Sequence, residues 1–456
     1  MARVDCCNKV LDHFYNSCND RISYFKIEMK KKIENIFLKK KILIYGLGKS
    51  GISSFRFLRN KADIYLFDDL KNTHPKQISK LKLLKIKFDI IIISPGINIF
   101  NCKLSKFLKL NKKKIFTDLD VFFTFFKNKY ITITGTNGKS TTAKILYEVL
   151  KDQKKDVRLI GNIGNPPLNE KKISKNTIFV IEASSYQLDY SQLFSSKYSI
   201  ILNIKPDHLE RHKTLQNYVN AKFKLLDSQS KSCLAFVKSD DVLISRKLKN
   251  KKFNCKIVKV NTKKNYNDFL EIKNKYFLTE SNRENLSFII ELAKKLKLKN
   301  NLLQKTIKNF KGLKYRQQII LQKKNLTIIN DSKSTSFSSS VGMFKKSSNI
   351  LWLLGGIYKK GDKLELKKKD LSNVTAFIYG ENKNLFIKQL RSKVKFKNYI
   401  NLEDAVKNVF SIIKTKRSIK YTILFSPCAA SFDSFKNFEE RGLYFNRLVK
   451  RFMYGK

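Results

Sequence analysis

A short run near the middle of the chain contains the residue types that bind phosphate. It follows the apolar segment Tyr130–Thr134 and reads Gly135, Thr136, Asn137, Gly138, Lys139, Ser140 and Thr141. In such a loop the backbone N–H groups point at phosphate oxygens, the lysine adds positive charge, and the serine hydroxyl can ligate Mg²⁺. Ile133 stands where the usual pattern has its first glycine, so this loop is shorter than the common one. We therefore predict a phosphate-binding loop of unusual length.

A second glycine-containing loop lies nearer the start of the chain. It follows the apolar segment Ile42–Tyr45 and reads Gly46, Leu47, Gly48, Lys49, Ser50 and Gly51, with Asp68 and Asp69 further on. The third glycine is out of step with the dinucleotide-binding pattern, so NAD is only weakly indicated. The glycines still allow backbone amides to approach a diphosphate, and the two carboxylates can meet a sugar or a base. A helix turn that binds no ligand is the alternative.

Short apolar segments alternate with lysine-rich segments of helical period, which predicts an α/β fold with parallel sheets. Strands are predicted at Lys41–Tyr45, Asp63–Phe67, Asp89–Ile93, Tyr130–Thr134, Ile178–Ile181, Tyr198–Asn203, Leu326–Ile329, Ile350–Leu354, Thr375–Tyr379 and Tyr421–Phe425. Ligands of open α/β sheets bind at the carboxyl ends of strands. Both glycine-containing loops therefore begin where binding sites form.

Composition narrows the class of protein. A chain of 456 residues with 42% hydrophobic residues is long enough for two or three globular domains. No apolar run reaches the roughly 18 residues that a membrane helix needs, and the first 40 or so residues lack the pattern of a secretory signal. The seven cysteines form neither a disulfide framework nor a zinc-binding pattern. We expect a soluble cytoplasmic protein without a membrane partner.

The formal net charge of +57 raises the possibility of a nucleic-acid-binding protein. The lysines, however, are spread over nearly every segment and are not gathered on one helix or arm. The sequence also lacks the spacing of a zinc finger, a leucine zipper or an RNA-binding ribonucleoprotein motif. We therefore interpret the charge as a general compositional bias and expect no specific nucleic-acid partner.

Further motifs follow the central loop in a set order. They are Gly161-Asn162-Ile163-Gly164, the EASSYQL segment from Glu182 to Leu188, the NIKPDHLE segment from Asn203 to Glu210, and the YVNAK segment from Tyr218 to Lys222. Together with the shortened loop, this order resembles the Mur ligase family over almost the whole chain. The NREN segment from Asn282 to Asn285 and the GLKYR segment from Gly312 to Arg316 are similar to two further family motifs. Ser281 and Tyr315 replace the histidines that are usual there.

The last third of the chain resembles the D-glutamate-adding members of this family. The resemblance is carried by Asn330 to Thr335 (NDSKST), by Leu353 to Gly356 with Lys359, and by Ser426 to Gly442 (SPCAASFDSFKNFEERG). Leu70 follows Asp68 and Asp69 where the family usually has an arginine.

The resemblance implies three α/β domains with catalysis where they meet. Residues 40–116 would form a Rossmann-like domain for the UDP substrate, residues 117–312 an ATP-binding domain, and residues 313–456 a Rossmann-like domain for the amino acid. Residues 1–39 are expected to be an extension of doubtful structure, with Met29 as a plausible true start.

The resemblance also implies a reaction. ATP would phosphorylate the carboxylate of UDP-N-acetylmuramoyl-L-alanine, and the amine of D-glutamate would attack the acyl phosphate, in cytoplasmic peptidoglycan precursor synthesis by a monomer. The implied cofactors are Mg²⁺ at two sites. Lys139, Glu182, His208, Lys222 and Lys333 are the implied catalytic residues.

The remaining site residues are also assigned by resemblance. ATP would contact Gly135 to Thr141, Asn285, Arg316 and Asp331. The metal ligands would be Ser140, Glu182, His208 and Lys222, with Lys222 carbamylated so that its cationic amine becomes an oxygen donor. The UDP substrate would contact Gly48, Lys49, Ser50, Asp68, Asp69, Gly96 and Asn162, and D-glutamate would contact Thr335, Lys359, Ser431 and Phe438.

Several alternatives stay open. Glu182 could end its strand without a metal, His208 could be a structural histidine, and Lys359 and Lys222 could be solvated lysines. The whole chain could be a sister ligase such as folylpolyglutamate synthetase, or a basic nucleic-acid-binding ATPase. The second of these predicts hydrolysis stimulated by nucleic acid, whereas a ligase needs its acceptor and amino acid.

Overall fold

The computed structural model describes residues 35–455, except residues 71–73, 264–273, 345–348, 360 and 416–417. Most of the predicted extension at 1–39, including Met29, lies outside the described residues. Residues 36–39 form a turn in which Phe37 is buried and packs edge-on against Phe116, with ring centroids 5.5 Å apart.

The described residues form two compact units. The first contains the residues up to Lys127 together with Pro166–Lys171 and Tyr190–Phe194, and the second contains the rest. The first unit holds one sheet and the second holds two. The predicted boundaries near residues 116 and 312 stay predictions.

The first unit contains a four-stranded parallel sheet with strand order β2-β1-β3-β4. Its strands are β1 (Lys41–Tyr45), β2 (Asp63–Phe67), β3 (Ile90–Ile93) and β4 (Ile115–Phe116), and its helices are α1 (Lys49–Leu58), α2 (Lys80–Leu84), α3 (Ser105–Leu110) and α4 (Asp118–Phe125). All four isoleucines of β3 are buried, as expected for a strand that is covered on both faces.

The second unit begins with a six-stranded parallel sheet of order β10-β9-β8-β5-β7-β6. Its strands are β5 (Lys129–Thr134), β6 (Val157–Gly161), β7 (Ile178–Glu182), β8 (Tyr198–Ile201), β9 (Leu234–Lys238) and β10 (Lys256–Val260). The described helices that follow these strands are α5 (Lys139–Asp152), α6 (Ser185–Tyr190), α7 (Leu209–His212), α8 (Leu215–Asp227), α9 (Val242–Asn250), α10 (Glu280–Lys295) and α11 (Asn300–Asn309). The central strand β5 leads into the phosphate-binding loop and α5.

The third sheet has the order β11-β12-β16-β13-β14-β15. Its strands are β11 (Gln318–Gln322), β12 (Leu326–Asn330), β13 (Ile350–Gly355), β14 (Val374–Tyr379), β15 (Lys395–Asn398) and β16 (Tyr421–Phe425), with helices α12 (Phe337–Phe344), α13 (Lys383–Leu390), α14 (Leu402–Thr415) and α15 (Phe438–Tyr454). All neighbouring strands pair in parallel except β11, which pairs antiparallel with β12.

The predicted α/β class is confirmed, and each predicted strand is present with its ends shifted by two residues or fewer. Six strands were not predicted: β4, β6, β9, β10, β11 and β15. The antiparallel edge strand β11 departs from the expectation of parallel sheets. Across the described part of the chain, no helix combines the length and the apolar character that crossing a bilayer requires.

Candidate active site

The loop between β5 and α5 has the backbone of a phosphate-binding loop. Gly135 and Gly138 have φ angles of +149° and +86°, and α5 begins at Lys139 directly after Gly138. A Cβ at Gly138 would lie 2.2 Å from Oδ1 of Asn285, and the positive φ would strain any other residue, so this position favours glycine. Asn285, predicted to contact the nucleotide, is therefore placed against the loop by α10.

Two lysine amines converge on one carbonyl of this loop. Nζ of Lys139 lies 3.0 Å from the Gly135 oxygen and 2.8 Å from the Thr136 oxygen, and Nζ of Lys222 lies 2.8 Å from the same Gly135 oxygen. Burial lowers the pKa of both amines, and the charge of Lys139 lowers the pKa of Lys222 further. Lys222 is therefore not a solvated lysine, because its side chain is buried beside a second cation.

Glu182 is buried at the end of β7, next to these lysines. Its Oε1 accepts a hydrogen bond of 2.8 Å from the side-chain amide of Asn162. Its Oε2 is buried and has no hydrogen-bond partner among the described residues. Such an oxygen is costly unless a donor or a cation meets it. Asn162, predicted to bind the UDP substrate, orients this carboxylate.

His208 lies in a left-handed conformation, with φ of +55°, at the start of α7. Its Nδ1 is 2.7 Å from the Tyr186 hydroxyl, and its Nε2 is 3.4 Å from Oδ2 of Asp207. Burial lowers the pKa of His208, which favours the neutral ring that a metal ligand must have. His212 packs on the same tyrosine and is buried, with Nε2 3.0 Å from the Ser185 hydroxyl.

Tyr218 connects Lys222 to the phosphate-binding loop. Its ring lies 4.5 Å from the Lys222 amine, and its hydroxyl is 3.0 Å from Oγ1 of Thr136. Thr136 in turn donates to the Lys205 carbonyl at 3.2 Å. The helix α8 that carries Lys222 is thereby held in register with the loop.

Residues of the third sheet reach the same site. The Lys333 amine lies 4.1 Å from the centre of the Phe438 ring, and the Arg316 guanidinium lies 5.8 Å from it. Burial lowers the pKa of Lys333 to about 8. The positive charges of Arg316 and Lys139 also lower this pKa, whereas the negative charge of Glu182 raises it. Groups predicted for ATP and for D-glutamate therefore lie close enough to interact.

Lys359 forms an ion pair with Asp207, which lies 152 residues earlier in the chain. The side chain of Lys359 is 22% exposed, so the alternative of a freely solvated lysine does not describe it. The pair connects the loop after β13 to the segment after β8. Asp207 belongs to the NIKPDHLE segment, but residue type and spacing alone do not indicate this pairing.

Ser431 is buried and Thr335 is exposed, so of these two residues predicted for D-glutamate only Thr335 faces solvent. The loop that contains Ser431 is fastened by Arg441, a buried residue of α15. The Arg441 guanidinium donates to the carbonyls of Ser332, Ala429 and Ala430 at 2.7 to 3.2 Å. Arg441 belongs to the SPCAASFDSFKNFEERG segment, but its residue type alone does not indicate this role.

The residues predicted for the UDP substrate lie mostly in the first unit. Oδ2 of Asp68 accepts from the Leu47 backbone at 2.6 Å, and Oδ1 of Asp69 accepts from the Tyr45 hydroxyl at 2.5 Å. Asp68 thus holds the glycine-containing loop, and Asp69 holds the last residue of the strand that leads into it. Gly48, Lys49, Ser50 and Gly96 also belong to this unit, whereas Asn162 belongs to the second. Leu70 is 70% exposed.

Asp331 is buried at the end of β12, where Oδ1 accepts from the Gln317 backbone at 3.1 Å and Oδ2 accepts from the Ser426 hydroxyl at 3.1 Å. Burial raises the pKa of Asp331 to about 7, from an ordinary value of 3.8. The folded carboxyl therefore keeps its proton over a pH range in which the unfolded carboxyl has lost it.

A pH-dependent stability follows from Asp331. Its contribution to the free energy of unfolding falls as the pH rises from about 4 to 7 and is level above that. Asparagine does not titrate, so Asp331→Asn should not show this decrease. Between about pH 5 and pH 8 its free energy of unfolding should therefore rise by about 2–3 kcal/mol relative to that of the wild type. Urea unfolding followed by Trp352 fluorescence measures this, because the chain has one tryptophan and it donates to the Ser426 carbonyl. If the difference in free energy of unfolding between Asp331→Asn and the wild type is the same at about pH 5 and at about pH 8, the pKa of Asp331 is not shifted.

Together, the sheets and the loop define a class of protein: an α/β enzyme that binds a nucleoside triphosphate at the end of a central strand. Residues 133–307 match the family described as the Mur ligase middle domain. The fold is also similar to that of two solved structures from Thermotoga maritima. UDP-N-acetylmuramate-alanine ligase MurC has a TM-score of 0.53 at 18% identity, covering 91% of this chain and 100% of that one. MurF ligase in complex with ADP has a TM-score of 0.52 at 13% identity, covering 92% and 98%.

Relatives of known name cover nearly the whole chain. The UDP-N-acetylmuramoylalanine–D-glutamate ligase of Rickettsia felis is 34% identical over 91% of this chain and 98% of its own length. The enzyme of the same name from Rickettsia prowazekii is 34% identical over 91% and 99%. The chain belongs to the family of UDP-N-acetylmuramoylalanine–D-glutamate ligases.

Proposed function

We propose that this protein uses ATP to join D-glutamate to UDP-N-acetylmuramoyl-L-alanine, as a cytoplasmic monomer. One observation carries the proposal beyond family membership. Burial lowers the pKa of the Lys139 amine in the phosphate-binding loop and of the Lys333 amine on the third sheet, whereas the charge of Glu182 raises both, so both cations lie within electrostatic range of this carboxylate. A reaction that moves a phosphoryl group to a carboxylate needs cations on both partners in one site, because both are anions.

In the first step a carboxylate oxygen of the acceptor attacks the γ-phosphorus, the bond to the β-phosphate oxygen breaks, and ADP leaves. The backbone amides from Thr136 to Ser140 and the Lys139 amine bind the triphosphate. Asn285 and Arg316 approach the nucleotide from α10 and from the segment before β11. The protein contributes mainly position and charge to such a transfer.

In the second step the amine of D-glutamate attacks the acyl carbon, the bond to phosphate breaks, and the amine loses a proton. Lys359, Ser431, Thr335 and Phe438 frame the amino acid, and Lys333 faces the acyl phosphate. Lys359 is paired with Asp207 in this structure, so binding of a substrate carboxylate exchanges one carboxylate partner for another.

The site fits Mg²⁺ at Glu182. The buried Oε2 has no hydrogen-bond partner among the described residues, and the Ser140 hydroxyl stands at the start of α5. Oxygen donors of this kind are what Mg²⁺ prefers. When bound, the ion supplies charge neutralisation for the phosphates. Across the described ranges, no three His, Cys, Asp or Glu side chains are placed to share a metal, so other donors must complete any site.

A second Mg²⁺ would be held by His208 and Lys222, and this pair fits a cation only if Lys222 is modified. As an amine, Lys222 donates to the Gly135 carbonyl and offers no oxygen. Carbon dioxide adds to the neutral amine, forming an N–C bond and releasing a proton, and the product is a carboxylate-like carbamate. Burial lowers the pKa of Lys222 well below its ordinary value, which supports the neutral form that this addition needs.

D-glutamate is expected to be the only common amino acid that supports rapid phosphate release with UDP-N-acetylmuramoyl-L-alanine. A site with donors for two carboxylates rejects lysine, which has only one, because buried polar groups are then left unpaired, and the fixed positions of those donors disfavour the mirror-image L-glutamate and the longer diaminopimelate. Phosphate release should be measured with D-glutamate, L-glutamate, L-lysine and diaminopimelate at equal concentrations. Omission of the acceptor is the control for uncoupled hydrolysis. Equal turnover with lysine or diaminopimelate would assign the chain to a sister activity.

A further inference from the structure

The segment between the second and third sheets contains two strained residues. Tyr315 has φ of +61° and Gln317 has φ of +48°, so both non-glycine residues lie in the left-handed region. Such conformations are unfavourable and persist only where their surroundings fix them. The residue between them is Arg316, which is predicted to contact the nucleotide.

Gln317 bonds in two directions. Its side-chain oxygen accepts from Oγ1 of Thr279 at 3.1 Å and from Nδ2 of Asn282 at 3.4 Å, at the start of α10. Its backbone N–H donates to Oδ1 of Asp331 at 3.1 Å, at the end of β12. One residue thus connects a helix of the second sheet to a strand of the third.

The helix end that Gln317 holds leads back to the phosphate-binding loop. Nδ2 of Asn282 also donates to the Tyr276 carbonyl at 2.8 Å, and the Tyr276 hydroxyl lies 3.4 Å from Oγ1 of Thr141. Further along α10, Asn285 covers Gly138. A displacement of α10 would therefore also displace the residues of the phosphate-binding loop.

The other strained residue holds the third sheet. The Tyr315 carbonyl accepts from the Lys333 backbone at 3.0 Å, and the Tyr315 ring lies where a Cβ at Gly442 would clash, at 2.4 Å. Its backbone N–H donates to the Gln318 side chain at 3.0 Å. Tyr315 is thus held by the third sheet, whereas Gln317, on the other side of Arg316, is held from both sheets.

We propose that Gln317 is a positioning residue that couples nucleotide binding to the placement of the third sheet. Its side chain positions the start of α10, and its backbone N–H positions Asp331. A nucleotide that fixes the position of α10 therefore also fixes the position of Asp331. The inference rests on the proposed function only in taking an adenine nucleotide as the ligand.

The experiment measures ADP binding by calorimetry on the full chain, without any ligation step. Gln317→Ala removes the bonds to Thr279 and Asn282, and we expect ADP affinity to fall about fivefold, the equivalent of one net hydrogen bond. Thr279→Val should show a similar loss, Thr279→Ser should restore affinity, and the double variant should lose no more than either single variant. Gln322→Ala, at an exposed glutamine that ends the following strand β11, is the matched control.

Gln317→Gly separates this role from folding. Glycine adopts a positive φ without strain, so this variant should be at least as stable as Gln317→Ala while showing the same loss of ADP affinity. Wild-type ADP affinity in Gln317→Ala, or losses that simply add in the double variant, would overturn the proposal. If the variants change ADP affinity as expected but the wild type does not ligate D-glutamate, the proposed function is overturned and the role of Gln317 is not.

Discussion

Lys139→Ala is expected to reduce phosphate release in the complete ligation assay by about a hundredfold or more, the order found when a preorganised charge donor is removed from a transition state. The Lys139 amine is buried at the start of α5 and bonded to the carbonyls of Gly135 and Thr136. The other two lysines of that helix lie elsewhere: Lys144 pairs with Glu148 at 3.2 Å, and Lys151 belongs to the last turn.

The stability of the Lys139→Ala protein should not fall, since burial of this amine already disfavours its charged form. Lys144→Ala is the matched control and should retain activity. Trp352 fluorescence in urea checks folding of the third sheet. Activity within severalfold of the wild type in Lys139→Ala would remove the loop from the mechanism.

Lys222→Ala is the second variant with a large expected effect. We expect ligation to fall by about a hundredfold or more, because removing the side chain removes the proposed carbamate and with it one oxygen donor to the second metal. Added short carboxylic acids such as acetate or propionate should restore part of the activity, since they supply a carboxylate to the space that the side chain leaves.

Lys224→Ala is the matched control on the same helix α8, because its side chain is 42% exposed and pairs with Asp189 at 3.6 Å. It should be fully active and insensitive to added carboxylic acids. Carbon-13 NMR of the wild type in labelled bicarbonate should show a carbamate signal that Lys222→Ala lacks. Full activity of Lys222→Ala without any added acid would refute the metal-ligand role.

The sequence predicted the parts of the fold that carry a strong apolar signal. The strands β1, β2 and β16 were predicted with the correct ends, because apolar runs such as KILIY leave little choice of structure. The edge strand β15, with the sequence KFKN, has one apolar residue and is mostly exposed, so no apolar pattern marks it. The antiparallel pairing of β11 depends on the turn of residues 323–325, which local propensity did not reveal.

In the candidate site, too, some features could be predicted from the sequence and others could not. The phosphate-binding loop was predictable because its chemistry lies in consecutive residues. The pairing of Lys359 with Asp207 and the double role of Gln317 join residues far apart in the chain, and neither spacing nor residue type indicates them. Asn162 on Glu182 is a similar case, since the amide stands in one motif and the carboxylate in the next. The assigned roles of the site residues stay predictions until the variants are measured.

The position of Arg441 in the last helix affects the order in which parts of the chain can fold during synthesis. The phosphate-binding loop is complete once residues up to about α10 have emerged, whereas the segment around Ser431 depends on a guanidinium in the last helix, α15. Domains generally fold as they are synthesised, beginning at the N-terminus. A nascent chain can therefore form the sheet that carries the phosphate-binding loop well before the segment around Ser431 is held in place.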